Sequence, residues 1–225
     1  MGQYVFVYAA LFVLALFGCR HSNEESNAQR ALPTGEPTVS QKMTTDDRLI
    51  IAGSNVGMLK LGDTREALLK ILGNEREEYN HTDPCKYTEM HWYDVKADRN
   101  GIFVYLRNGR VYQIESDTPR FRTAEGITSD ARPEDVRTHF PQLQAYVLVN
   151  SGSDVVGGRD LIYWVDQQSG IAFEFYYNRK ERKRRVSKII VFDPRSDFQQ
   201  SGCVSPPQTL LKLEPFSLEA PNAKP

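Results

Sequence analysis

Gly101-Ile102-Phe103-Val104-Tyr105-Leu106-Arg107-Asn108-Gly109-Arg110-Val111-Tyr112-Gln113-Ile114-Glu115 is the stretch on which the fold turns. β-Branched and aromatic residues fill both arms, and Asn-Gly, the pair that most readily takes positive φ at both turn positions, stands between them. The stretch predicts an antiparallel hairpin. His91-Trp92-Tyr93-Asp94 precedes it as a further strand. The pattern comes a second time as Tyr163-Trp164-Val165-Asp166, then Gly170-Ile171-Ala172-Phe173-Glu174-Phe175-Tyr176, a charged turn, and Arg185-Val186-Ser187-Lys188-Ile189-Ile190-Val191-Phe192.

Working outward, each strand block follows a helix signal. In Gly62-Asp63-Thr64-Arg65-Glu66, Asp63 can cap the free amides and Glu66 completes a capping box. Leu68, Leu69, Ile71 and Leu72 give the apolar stripe, and Gly73 stops it. In the second block Pro133 suits a first helical turn, Glu134 and Asp135 follow, Val136, His139 and Phe140 mark the face, and Pro141 ends it. The offset is constant from Glu66 to Glu134, Leu68 to Val136 and Leu72 to Phe140. The expected fold class is therefore α+β: two tandem units of helix plus antiparallel β-meander, over residues 48–125 and 126–204.

The flanks read differently. Val5–Phe17 is apolar and uncharged, well short of the ~20 residues a spanning helix needs, so residues 1–18 read as a signal peptide. Residues 19–47 are polar and proline-containing, a tether. Residues 205–225 carry Pro206, Pro207, Pro215, Pro221 and Pro225 and read as a mostly mobile tail, with Leu210, Leu211, Leu213 and Phe216 available to dock. A net charge of −1 argues against a general nucleic-acid binder. After Cys19 only Cys85 and Cys203 remain, an even pair that predicts one disulfide in an exported chain.

Two resemblances follow from these residues. Leu16-Phe17-Gly18-Cys19 resembles a bacterial lipobox, which implies a diacylglyceryl thioether on Cys19 and a membrane-anchored protein. A plain cleaved signal peptide and a buried apolar start are the alternatives. Arg20, in place of Asp, implies sorting to the outer membrane in such lipoproteins, with the protein facing the periplasm. The Leu61-to-Ala67 helix start, the Leu72-Gly73 helix end, the Trp-bearing strand and the Asn-Gly hairpin resemble the small bacterial envelope lipoproteins of the SmpA/OmlA (BamE-like) type. In tandem they resemble the β-lactamase inhibitory protein fold. The resemblance implies a non-catalytic scaffold that presents a sheet to a protein partner in the envelope, with no cofactor. Its alternatives are an inhibitor-like binder of an envelope or secreted enzyme, and an envelope hydrolase with an unrecognised site.

Three groups of residues are candidates for a site. Arg179, Lys180, Arg182, Lys183, Arg184 and Arg185 form a basic hairpin turn, suited to anionic lipid or lipopolysaccharide phosphates; a solubilising tip that blocks strand-edge pairing is the other reading. Tyr93, Tyr105, Tyr112 and Tyr176 are the amphipathic residues of a partner face, or else cross-strand pairs covering an open sheet. His81, Cys85, Glu89 and His91 cluster in sequence but fit no standard zinc spacing, so no metal site is expected. With four histidines in the chain and no Ser, His and acid grouping in motif context, no catalytic site is expected either.

Overall fold

Both residues of the Asn108-Gly109 turn adopt positive φ, 52° and 72°, as a type I′ turn requires. The computed structural model describes residues 45–82, 86–93, 101–148, 161–196, 198–199 and 210–219. Cys19 and the expected Cys85–Cys203 pair lie outside the described residues. In chain order the elements are β1 (Leu49–Ile51), β2 (Asn55–Val56), β3 (Leu59–Lys60), α1 (Arg65–Leu72), β4 (Glu77–His81), β5 (Tyr87–Tyr93), β6 (Gly101–Arg107) and β7 (Arg110–Ser116). They continue as β8 (Arg122–Thr123), α2 (Pro133–His139), β9 (Gln144–Leu148), β10 (Leu161–Asp166), β11 (Ile171–Asn178), β12 (Lys183–Phe192) and β13 (Leu210–Lys212).

Nine strands form one antiparallel sheet in the order β13-β9-β10-β11-β12-β7-β6-β5-β4, and β3-β2-β1-β8 form a small second sheet. This overturns the expected α+β arrangement of two tandem helix-plus-meander units. β7 pairs directly with β12, Ile114 opposite Val191 and Ser116 opposite Ile189, so the two meanders are one sheet. The helices, of 8 and 7 residues, are too short to roof it, and the molecule is mainly β. The reason lies in β12, whose last four residues, Ile189 to Phe192, are all buried. A strand apolar on both faces is stable between two neighbours and a liability at an edge.

Alternation along the strands separates two faces. On one, Met90, Trp92, Val104, Ile114, Ile162, Trp164, Phe173 and Val191 pack with Leu68 of α1, Val136 of α2 and Ile50, Val56 and Leu59 of the small sheet in the main core. On the other, Leu148, Tyr163, Val165, Ala172, Ile190 and Phe192 form a second apolar cluster over β9–β12, with Phe198 against it. The remainder of that face, over β4–β7, is polar and aromatic. Gly170 ties the two sheets together: its carbonyl accepts the Gly53 amide at 3.1 Å, and at φ 73° a Cβ there would lie 2.3 Å from the Phe192 carbonyl oxygen.

The helix ends show where local signals hold. α1 starts one residue later than expected, with Thr64 as its cap, the hydroxyl accepting the Ala67 amide at 3.3 Å. Asp63 instead accepts the Lys60 amide at 2.8 Å. Gly73 ends α1 at φ 84°, and its carbonyl accepts the Trp92 indole N–H at 3.1 Å. Pro133 opens α2 as expected. The tail departs from expectation, since residues 210–219 are docked. β13 extends the sheet beside β9, Leu213 is buried, and the Ser217 carbonyl accepts the Trp164 indole N–H at 2.8 Å.

Candidate functional site

Strand alternation brings Glu77, Tyr79 and His81 of β4 beside His91, Glu89 and Tyr87 of β5, with Phe103 and Tyr105 of β6 next in line. Glu89 is the centre of this face. His81 Nε2 lies 3.1 Å from Glu89 Oε2, and His91 Nε2 lies 2.6 Å from Oε1. Burial pushes the Glu89 carboxyl up, but hydrogen bonds from His91, His81 and Tyr105, with the charge of His91, outweigh it and hold the group below its ordinary range.

Two tyrosines stand at the outer rim. The Tyr79 and Tyr93 hydroxyls both donate to Glu77 Oε2, at 2.9 and 3.2 Å, and His91 Nδ1 lies 3.0 Å from the Tyr93 hydroxyl. The Tyr79 phenol is raised by its bond to Glu77, the Tyr93 phenol by burial and by the Glu77 charge, so both stay protonated donors at neutral pH. The His91 ring packs edge-on to Phe103 at 4.6 Å.

Further in, the face is closed. Lys188 Nζ lies 2.9 Å from Glu115 Oε2, whose side chain is wholly buried, and 4.7 Å above the Phe103 ring. Burial pulls the Lys188 ammonium down, but the charges of Glu115 and Glu174 overcome it and keep it protonated. Gln113 Nε2 donates to the other Glu115 oxygen at 2.8 Å. Glu174 accepts the Tyr163 hydroxyl at 2.9 Å and the Ser187 hydroxyl at 2.5 Å. These buried polar groups satisfy one another across β7, β10, β11 and β12 and so help hold those strands in one register.

Beside Tyr93 a cleft of about 720 Å³ runs from the end of α1 to the last residues of β5 and the first of β6. Leu72, Trp92, Ile102 and Phe121 supply its apolar lining, and Glu75, Arg76, Glu77 and Arg120 its charged one. Its size suits a side-chain cluster of a partner or a small ligand.

The four tyrosines predicted as a partner face differ in exposure and offer no common surface. Tyr93 is exposed at 37%, whereas Tyr105 is 2% exposed and packs against Tyr87 and Tyr112 at ring distances of 5.8 and 6.3 Å. Tyr112 is half-buried beneath the Arg107 guanidinium, and burial raises its phenol far above the ordinary value. Tyr176 sits on the β11–β12 hairpin and donates to Asp130 Oδ1 at 3.0 Å. The residue missed in sequence is Tyr79, exposed at 47%. Glu-Glu-Tyr-Asn-His has no apolar alternation, so nothing local marks it as a strand.

His81, Glu89 and His91 do meet, but as a carboxylate held between two imidazoles. Among the described residues no three His, Cys, Asp or Glu are gathered to hold a metal ion. The six predicted cations fall on the β11–β12 hairpin, Arg179, Lys180 and Arg182 in its turn and Lys183, Arg184 and Arg185 at the start of β12: Arg179, Lys180, Arg182 and Lys183 are exposed, Arg185 pairs with Glu181 at 2.5 Å, and Arg184 Nη1 donates to the Phe175 carbonyl at 3.1 Å.

No family model matches the chain, and no curated protein matches it. Among solved structures it is similar to the uncharacterized protein yfeY from Escherichia coli, at 13% identity and a TM-score of 0.44, over 63% of this chain and 98% of that one. It is also similar to a cysteine-rich secretory protein from Staphylococcus aureus, at 12% identity and a TM-score of 0.38, over 60% of this chain and 44% of that one. A third likeness is to an extracellular protein containing an SCP domain from Bacillus anthracis, at 14% identity and a TM-score of 0.40, over 70% of this chain and 50% of that one. The chain thus spans about half the length of the latter two, and likenesses this slight assign neither activity nor partner.

Proposed function

We propose that this protein is a non-catalytic module of the bacterial cell envelope, anchored through Cys19 to the outer membrane on its periplasmic side, that binds another envelope protein through the outer rim of β4 and β5. The observation that carries the reading is the pair of exposed phenols, Tyr79 and Tyr93, locked by one carboxylate, Glu77, at the mouth of an apolar-lined cleft. Tyrosine offers a large, stiff contact area with one polar tip, and rings already held in place cost little entropy to immobilise on binding. The hydrogen-bond partners of the two histidines here are Glu89 and the Tyr93 hydroxyl, and the Tyr93 hydroxyl gives its one proton to Glu77, which favours a cluster that orients side chains.

A photo-crosslinking residue placed at Tyr79 in cells, with the same residue at exposed Thr138 on α2 as control, tests the reading. One discrete protein adduct is expected at position 79 and none at 138, and Tyr93→Ala should reduce the adduct about tenfold. Absence of any adduct at 79, or an equal smear at both positions, defeats it.

A further inference from the structure

The β11–β12 hairpin outruns its neighbours. β7 pairs with β12 only over Ile189–Phe192, and β10 pairs with β11 no further than Phe175. Beyond that point three residue pairs continue as a two-stranded ribbon, Tyr176 opposite Arg185, Tyr177 opposite Arg184 and Asn178 opposite Lys183, closed by residues 179–182. The turn has a fixed shape: Asn178 Oδ1 accepts the amides of Lys180 and Glu181 at 3.0 and 3.1 Å, and Arg182 takes positive φ, 54°.

Six cations and one acid fall within seven residues of this ribbon, in a chain whose net charge is −1. The acids nearby are already used. Glu181 is held by Arg185, and Asp130 accepts the Tyr176 hydroxyl. Arg179, Lys180, Arg182 and Lys183 are left exposed, with no side-chain partner among the described residues, while Tyr176 and Tyr177 sit half-buried at the neck. Cations at a tip above a tyrosine collar are the residue types that settle at a bilayer interface, the charges among headgroups and the rings beneath them.

We infer that this ribbon docks on an anionic membrane surface, its tip cations reading the phosphates of lipid headgroups. The contact is separate from the tyrosine rim of β4 and β5 and needs no protein partner. It is an electrostatic contact with charge density, so Lys serves as well as Arg, and it weakens as salt shortens the screening length.

The test uses the full chain with vesicles of phosphatidylcholine alone or with about one third phosphatidylglycerol. The readout is the ratio of affinities for the two, to which the apolar N-terminal run contributes equally in every variant. The wild-type chain should favour anionic vesicles, and R179Q/K180Q/R182Q/K183Q should lower that ratio by on the order of 10³-fold. R179K/R182K, and the charge-matched K60Q/K70Q/R122Q/K212Q placed elsewhere on the surface, should keep most of it. Raising salt from about 0.05 to 0.5 M should abolish the preference. The inference is overturned if the tip variant keeps the wild-type ratio, if the charge-matched control loses as much, or if R179K/R182K loses the preference, since that result marks a site shaped for the guanidinium fork and not a contact with charge density.

Discussion

Two imidazoles and a phenol converge on Glu89, a side-chain clasp laid across the backbone ladder of β4 and β5. Its folded pKa lies below the ordinary 4.5, so the carboxylate contributes stability that is complete above that value and lost as pH falls through the depressed folded one. Glu89→Gln should therefore be less stable than wild type at neutral pH, with the gap closing below about pH 4 as the wild-type carboxyl protonates. Denaturant midpoints of both proteins from about pH 3 to 8 measure this. A gap of the same size at pH 3 and pH 7 would show that the clasp draws no stability from the charge of Glu89.

At the scale of elements, the last strand is the case where burial overrode composition. Five prolines beyond Ser205 rule out a long helix or a central strand, yet β13 is three residues long and an edge strand, for which proline spacing leaves room. What holds it is Trp164, whose indole donates to Ser217 and whose ring meets Phe216 edge-on at 5.3 Å, with the Arg137 guanidinium 4.8 Å from the Phe216 ring centroid. Phe216→Ala should cost about 2 kcal/mol and lower the melting temperature by roughly 4–8 °C. Trp164 fluorescence should shift to the red as water reaches the indole. An unchanged melting temperature and spectrum would show that the tail contributes nothing to the core.

At the scale of the whole molecule, the exposed tyrosine rim and the basic ribbon lie on different hairpins, β4–β5 and β11–β12. A chain held at a membrane through Cys19 could then use one for a protein and the other for the surface. Under the proposed anchoring, Cys19→Ala should move the protein from the membrane fraction to the soluble fraction, because acyl chains on Cys19 would supply the larger part of the affinity. With the basic ribbon intact, some mutant should still pellet at low salt and be released by a high-salt wash. Retention of the mutant after that wash would refute lipidation as the anchor.

By itself the sequence determined what short-range chemistry controls. Asn108-Gly109 had to turn because few other pairs accept two positive φ values, Gly73 and Pro141 had to end helices, and the apolar arms around them had to be strands. The basic turn at 179–182 was legible for the same reason. The sequence also presented two matching blocks, and there local reading stopped, because nothing in it states which strand edge meets which. Only the tertiary structure decided that β7 takes β12 as its neighbour, making one sheet where two units were expected. That pairing brings Lys188 to Glu115 across 73 residues, and no periodicity encodes a contact so distant. Pairing likewise selected β4, polar along its length, as an edge strand and so exposed Tyr79 while burying Tyr105. A tyrosine's residue type is the same in either place; its exposure is fixed by the strands beside it, and those are chosen by the burial of the whole chain.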